Sequence, residues 1–183
     1  MGFAKEIRAA VTAGQLVRVE RDAIETGWLT GYVVAAGPSY FALEIVDGSI
    51  RLNGVACMRY QDVTSVIPEP HSGFIERALA ARGAARAKQV PVDLKSLASI
   101  IAGAGKAFPI FTVHVPHPDG QGYDCYIGRL VAVDAATVQL YHITPDAEWE
   151  RELTEIPLTE INRVDFGGDY EEALFLAAKS SGR

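Results

Sequence analysis

"WLTGYVVAAGPSYFAL", residues 28–43, lies over "CYIGRLVAVDAATVQL", residues 125–140, without a gap. Gly31 falls on Gly128, Val33 on Leu130, Val34 on Val131, Ala35 on Ala132, Phe41 on Val138 and Leu43 on Leu140. Few residues are identical, but apolar and turn positions keep step throughout. One extra residue in the second stretch then brings Val63, in "MRYQDVTSVIP" (58–68), onto Ile161, in "IPLTEINRVDF" (156–166). Self-similarity at a fixed spacing is the sequence signature of a duplicated unit, and it changes every later reading.

Working outward, each copy carries the same elements. "FAKEIRAAVTAG" sets Phe3, Ile7 and Val11 four apart on one helical face, with Gly14 as its stop. "VDLKSLASIIAGAG" sets Leu94, Leu97 and Ile101 at helical spacing, which predicts an Asp93 cap and a Gly103 stop. Strands are predicted at Leu16–Arg21, Trp28–Ala36, Tyr40–Val46, Ile50–Tyr60 and Thr64–Ile67. In the second copy they are predicted at Ile110–Val115, Tyr123–Val133, Thr137–Thr144, Trp149–Leu158 and Ile161–Phe166. Gly37-Pro38-Ser39, Asp47-Gly48, Pro118-Asp119-Gly120, Asp134-Ala135 and Pro145-Asp146 supply the turns. A closing helix follows each set, starting at Ser72 and at Asp169. Five short strands do not bury both faces as a flat sheet, but a bent sheet or small barrel does, and closure protects its edges. The expected architecture is α+β, mainly β: two tandem five-stranded barrels with flanking helices, residues 1–88 and 89–183, meeting near Lys88–Pro91. Gly31 and Gly128 are expected at equivalent bends.

Composition bounds the function classes. The 183 residues are 49% hydrophobic and 22% charged, enough apolar material for two small cores. No apolar run approaches the roughly 20 residues of a membrane span, and "MGFAKEIRAAVTAG" does not read as a signal peptide. Cys57 and Cys125, each in an apolar strand-like stretch, read as buried thiols of a chain in a reducing cytoplasm. Residues 1–88 hold ten Lys/Arg against nine Asp/Glu, whereas residues 89–183 hold seven against fourteen. An acidic half does not attract phosphate backbones, which argues against nucleic acid as the partner.

A helix followed by five bent strands, the long second one with a glycine at mid-strand, resembles the Sm-like fold, a small SH3-type barrel. "TGYVVAAGPSYFALEI" and "YIGRLVAVDAATVQLYHI" resemble its second and third strands, and "VTSVIP" and "INRVDF" its short last strand. The resemblance covers nearly the whole chain, once per half. It implies RNA binding only where the loop after the second strand ends in Asp–apolar–Asn and a later turn carries Arg-Gly. Here Gly37-Pro38-Ser39-Tyr40-Phe41-Ala42 and Asp134-Ala135-Ala136-Thr137 lack the first signature. Arg59-Tyr60-Gln61-Asp62 and Pro157-Leu158-Thr159-Glu160 lack the second.

Candidate chemistry is sparse. "HVPHP" brings His114 and His117 close, with Asp119, Asp124 and Cys125 following and His142 on a later strand, and zinc uses such ligands. Their spacing in an extended segment sends the two side chains to opposite faces, so no metal or cofactor is expected. A small metal-dependent hydrolase built on His114, His117 and His142 stays as an alternative. Asp146, Glu148, Glu150, Glu152 and Glu155 read as a solvated strand face, acids out and apolar residues in. Arg77, Arg82, Arg86 and Lys88 make one helix basic, to be hydrated or to meet the acidic half. Gly167-Gly168 reads as a strand-to-helix turn. No catalytic motif is present. The chain therefore reads as a non-catalytic binding or assembly protein, with Trp28, Tyr40, Tyr60 and Trp149 as surface candidates. Its partner is a protein or a second copy, a homodimer rather than a large ring. Tyr170, Leu174, Phe175 and Leu176 exceed one helical stripe, so two of them are expected to face that partner. An RNA-binding role is the other alternative.

Overall fold

A computed structural model describes residues 3–87, 89–118 and 122–181. Lys88, Asp119 and Gly120, which figure in the sequence reading, lie outside the described residues. The first half runs α1 (Ala4–Ala13), β1 (Leu16–Glu20), β2 (Trp28–Ala36), β3 (Tyr40–Val46), β4 (Leu52–Arg59), a short 3-10 turn, β5 (Ser65–Pro68) and α2 (Ser72–Ala81). The second runs α3 (Leu97–Ala107), β6 (Phe111–Pro116), β7 (Tyr123–Val133), β8 (Thr137–Ile143), β9 (Trp149–Pro157), β10 (Arg163–Phe166) and α4 (Asp169–Ser181). No described helix is long and apolar enough to cross a membrane.

The structure is mainly β with helices, as expected, but it does not show two separate closed barrels. All ten strands form one continuous antiparallel sheet, ordered β5-β1-β2-β3-β4-β10-β6-β7-β8-β9, with β5 and β9 as its outer edges. The pairing order of the first five recurs in the last five. β4 and β10 make the joint, where Arg163 lies opposite Met58, Val164 opposite Cys57, Asp165 opposite Ala56 and Phe166 opposite Val55. Backbone N–H and C=O groups that an isolated half would leave open are thus paired inside the chain.

Local detail also recurs. Gly31 faces Ile45 and Gly128 faces His142, and each ladder then slips by one residue, after Val33 and after Leu130. A Cβ on either glycine would lie 2.3 Å from a backbone oxygen, that of Glu44 or of Tyr141. Gly31→Ala and Gly128→Ala are each expected to cost roughly 1–3 kcal/mol, because backbone cannot yield as a side-chain tip can. Urea denaturation of the two variants checks this. Among described residues the non-glycine positions with positive φ are Ile50 (56°) and Ala147 (62°), each closing the turn between its half's third and fourth strands. Ile50 N–H donates to Asp47 O and Ala147 N–H to Thr144 O, both at 2.9 Å.

The apolar core is divided accordingly. Ile7 and Ala10 of α1 pack with Val17, Val33, Phe41, Leu43 and Met58. Ile100, Ile101 and Ala104 of α3 pack with Phe111, Val113, Val138, Leu140 and Val164. Met58 belongs to the first cluster and lies opposite Arg163, whereas Cys57 belongs to the second and lies opposite Val164. The core face therefore changes sides at the joint. The outer row of β10, with Arg163 and Asp165, runs on from the inner row of β4, and charges end up beside an apolar core.

α3 departs from expectation. Ser96, not Asp93, caps it, in a reciprocal capping box with Ser99. The helix passes through Gly103, whose missing Cβ would meet Pro91 O at 2.9 Å. A Cβ on Gly105 would come closer still, 2.5 Å from the Cβ of Leu130. These glycines permit close approach rather than ending the helix. The basic helix departs too: α2 ends at Ala81, so Arg77 is on it but Arg82 and Arg86 follow it. Arg82 donates to Ser49 O and Ile50 O, each at 2.6 Å, and Arg86 donates to Gly14 O and stacks on Tyr32, so both fasten the chain after α2 to its own half.

Candidate functional site

At the joint, strand register rather than sequence proximity assembles a polar cluster. β6 sets His114 opposite Cys125 of β7 on one side and opposite Arg163 of β10 on the other. Asp165, two residues beyond Arg163, points to the same face. Cys125 Sγ lies 3.4 Å from His114 Nδ1, and His114 Nε2 lies 3.1 Å from Asp165 Oδ2. One tautomer satisfies both contacts: Nε2 carries the proton toward the carboxylate, and Nδ1 offers its lone pair to the thiol. Arg163 grips Asp165 with a fork, Nε to Oδ1 at 2.7 Å and Nη2 to Oδ2 at 2.6 Å. From the first half, Glu25 accepts from Arg163 Nη1 at 3.5 Å and from Arg21 Nε at 2.7 Å. Arg21 is 1% exposed and reaches Asn162 O at 3.4 Å. The rings of Tyr123 and His114 meet edge to face, with centroids 5.0 Å apart.

Burial and charge oppose one another here. Burial favours the neutral form of Asp165, but the Arg163 guanidinium and His114 outweigh it and hold the carboxyl well below the usual range. Burial likewise pulls Arg163 down, and Asp165 and Glu25 more than restore its charge. The Cys125 thiol is pushed up, first by burial and then by Asp165. The fully buried Cys57 is pushed up further by the same two causes. Cys125 is nonetheless exposed, which corrects the reading of both cysteines as buried.

The histidines of the metal alternative go separate ways. His114 is buried against Asp165, His117 meets Asp124 at 3.0 Å near the surface, and His142 Nδ1 meets Glu150 at 3.1 Å. Among described residues no three His, Cys, Asp or Glu side chains are placed to hold a metal ion. Of the aromatic candidates, Trp28 is 53% exposed and lies under the Arg18 guanidinium at 4.4 Å. Trp149 is half-buried beneath Arg129. Tyr40 lines an open hollow with Arg59 and Leu158. Tyr60 is not a surface residue: it is buried, stacks on Phe41 and donates to Gly37 O at 3.1 Å. On β9 the acids are exposed as expected, but so is Leu153. On α4, Leu174 is buried and Phe175 half-buried, while Tyr170 and Leu176 face solvent.

Register also shows what the first half carries where the second carries this cluster. Trp28 pairs with Glu20, and Arg18 with Ile67, as Cys125 pairs with His114, and Thr112 with Asp165. Trp28 thus occupies the place of Cys125, and Ile67 that of Asp165. Arg18 lies over the Trp28 ring, pairs across the ladder with Ile67 (42% exposed) and shares a groove with Phe74 (57%), and its guanidinium is forked onto the buried Glu69. The Arg18 hydrogen bond, against the cost of burial, holds the Glu69 carboxyl below its usual range. A groove of about 580 Å³ opens beside them, between β2, β3 and the start of α2. Comparison of the chain with known protein families, with curated proteins and with solved structures gives no match.

Proposed function

We propose that this chain is a non-catalytic assembly protein of the cytoplasm, made of two Sm-like barrels joined edge to edge, which binds a second copy of itself through the first half. The recurring pairing order, the two ladder slips after Val33 and Leu130, and the paired turns at Ile50 and Ala147 support a duplicated unit. Residues that impose positive φ without being glycine are uncommon, and two at matching places are hard to obtain by chance.

The observation that carries the reading is the contrast between equivalent rows. In the second half, the row of Cys125, His114 and Asp165 borders a strand edge that β4 covers and a loop, Arg21–Glu25, that reaches across. In the first half, the equivalent row, Trp28, Glu20 and Ile67, borders the open edge of β5 and presents Trp28 and Ile67 to solvent, with Phe74 of α2 exposed as well. Large exposed apolar side chains near a fixed ion pair suit an interface centre. The edge of β9 suits it poorly as an occupant, since Glu150, Arg151 and Glu152 are charges of the kind that block edge pairing. A two-fold dimer that sets one Trp28 patch against another follows, rather than an extended chain or ring.

Light scattering decides it. The wild type is expected to run as a dimer at high micromolar concentration, and Trp28→Glu and Phe74→Glu as folded monomers. A monomeric wild type would remove the dimer, and an undiminished dimer in both variants would remove this patch from its interface.

A further inference from the structure

The cluster at the joint also has the parts of a reactive-thiol site: an exposed nucleophile, a buried base in contact with it, and a carboxylate on the far nitrogen of that base. We infer that Cys125 exchanges with small disulfides, using His114 as the proton acceptor, and so carries a reversible mixed disulfide. This is a chemical site separate from the Trp28 patch and does not depend on it.

The side chains around Cys125 suit this chemistry better than acyl transfer. Attack on an ester or amide puts charge on oxygen, and that charge must be met by donors already in place. The nearest cation is Arg163, and its Nε, Nη1 and Nη2 are engaged by Asp165 and Glu25. Disulfide exchange asks for less. Sulfur attacks, sulfur leaves, and no oxyanion forms. The Cys125 Sγ–H bond breaks as a new S–S bond forms, and the proton passes to His114 Nδ1. The old disulfide bond breaks in the same step, and the departing thiolate takes that proton back. One thiol and one disulfide become another thiol and another disulfide, with no outside oxidant. Excess small thiol reverses it.

Burial of part of Cys125 makes the base necessary. A thiol that resists ionisation supplies little thiolate at neutral pH and would be sluggish if left to itself. His114 Nδ1, 3.4 Å away, gives the proton a destination at the moment of attack. The transient imidazolium then stands between Asp165 and the reacting sulfur. Access is provided by the fold: β8 pairs with β7 only from Gly128 onward, so the strand around Cys125 is left uncovered on that side.

Cys57 is a built-in control. It is 1% exposed and reacts only if the fold opens. The experiment treats the full chain with hydroxyethyl disulfide, follows adducts by intact mass and locates them by peptide mapping. One adduct per chain on Cys125 is expected, none on Cys57, and none at all in Cys125→Ser. His114→Gln should slow the reaction at least tenfold while Cys57 stays unreactive. Should that variant unfold, the wild type decides: native Cys125 is expected to react several-fold faster than the same residue in the urea-unfolded chain. Burial without a working base makes it slower. No adduct on Cys125, an unchanged rate in folded His114→Gln, or a native rate below the unfolded one would overturn the inference.

Discussion

Asp165→Ala is expected to destabilise the protein by roughly 3–5 kcal/mol at neutral pH, the usual cost of stripping one partner from a buried ion pair. The loss comes less from the missing carboxylate than from what remains. Arg163 is buried, two of its nitrogens lose their acceptors, and its other contact is Glu25 at 3.5 Å. His114 Nε2 is left without its acceptor as well. A double variant, Arg163→Met with Asp165→Leu, should recover much of the loss, because an apolar pair of similar volume leaves no guanidinium to satisfy. A urea-denaturation cycle of the two single variants and the double one gives the coupling directly. The same pair fixes a pH dependence. Asp165 is held below its ordinary carboxyl range in the folded chain. The folded state therefore takes up its proton at lower pH than the unfolded state does. The stabilisation is fully present above about pH 4, the unfolded value, and is lost as pH falls toward the folded one. The gap between wild type and Asp165→Ala should accordingly narrow in acid.

The sequence allows the edges of the two units to pair within the chain or between chains and leads us to expect contact between the units, but which strands meet at this joint is not legible from it, and the reasons are physical. Apolar alternation and turn residues are local, so β2, β3 and β7 begin and end where sequence places them. The shared offset of the two halves is also local. What brings β4 against β10 is a pairing between units, and nothing within either strand announces its partner. "HVPHP" drew attention to His114 and Cys125 as ligand types, and a hairpin register would set them opposite one another. Asp165 is 51 residues from His114 and enters only through the β10–β6 ladder. Without it the histidine reads as a strand residue, and the thiol as a small hydrophobe.

Two misreadings share a cause: a residue type was given its commonest role. Gly103 reads as a helix stop, but here the packing of Val92 against α3 needs the missing side chain more than the helix needs an end. Tyr60 reads as a surface aromatic, yet its ring fills space on Phe41 and its hydroxyl finds the carbonyl of Gly37. In both cases a tertiary contact overrides local propensity, and that contact lies outside the element that the local pattern defines. Trp28, by contrast, was legible as exposed, because it opens a strand just after a turn.

Gly54→Val should separate the two halves energetically, with an expected loss of about 2–5 kcal/mol from two sources. Gly54 lies on β4 at φ 73°, where a side chain, above all a β-branched one, is strained. Its Cβ would also come within 2.7 Å of Gly168 N and 2.8 Å of Phe166 O, both backbone atoms of the opposite half. Next to it, Asn53 Oδ1 accepts the Asp169 N–H at 2.8 Å, tying the first turn of α4 to β4. A wedge at Gly54 therefore pushes on β10 and on the start of α4 together. Hydrogen exchange localises the damage. β10 and the first turn of α4 should lose protection before β2 and β3 do, because the ladders inside the first half do not run through Gly54's neighbours on β10. If every strand instead loses protection at one rate, the ten strands unfold as a single cooperative sheet and the joint is no weaker than the ladders on either side of it. Protection unchanged at β10, in a variant that carries valine at this position, would mean that β4 can shift without disturbing its partner. That outcome would remove the joint as the element that holds the halves in register.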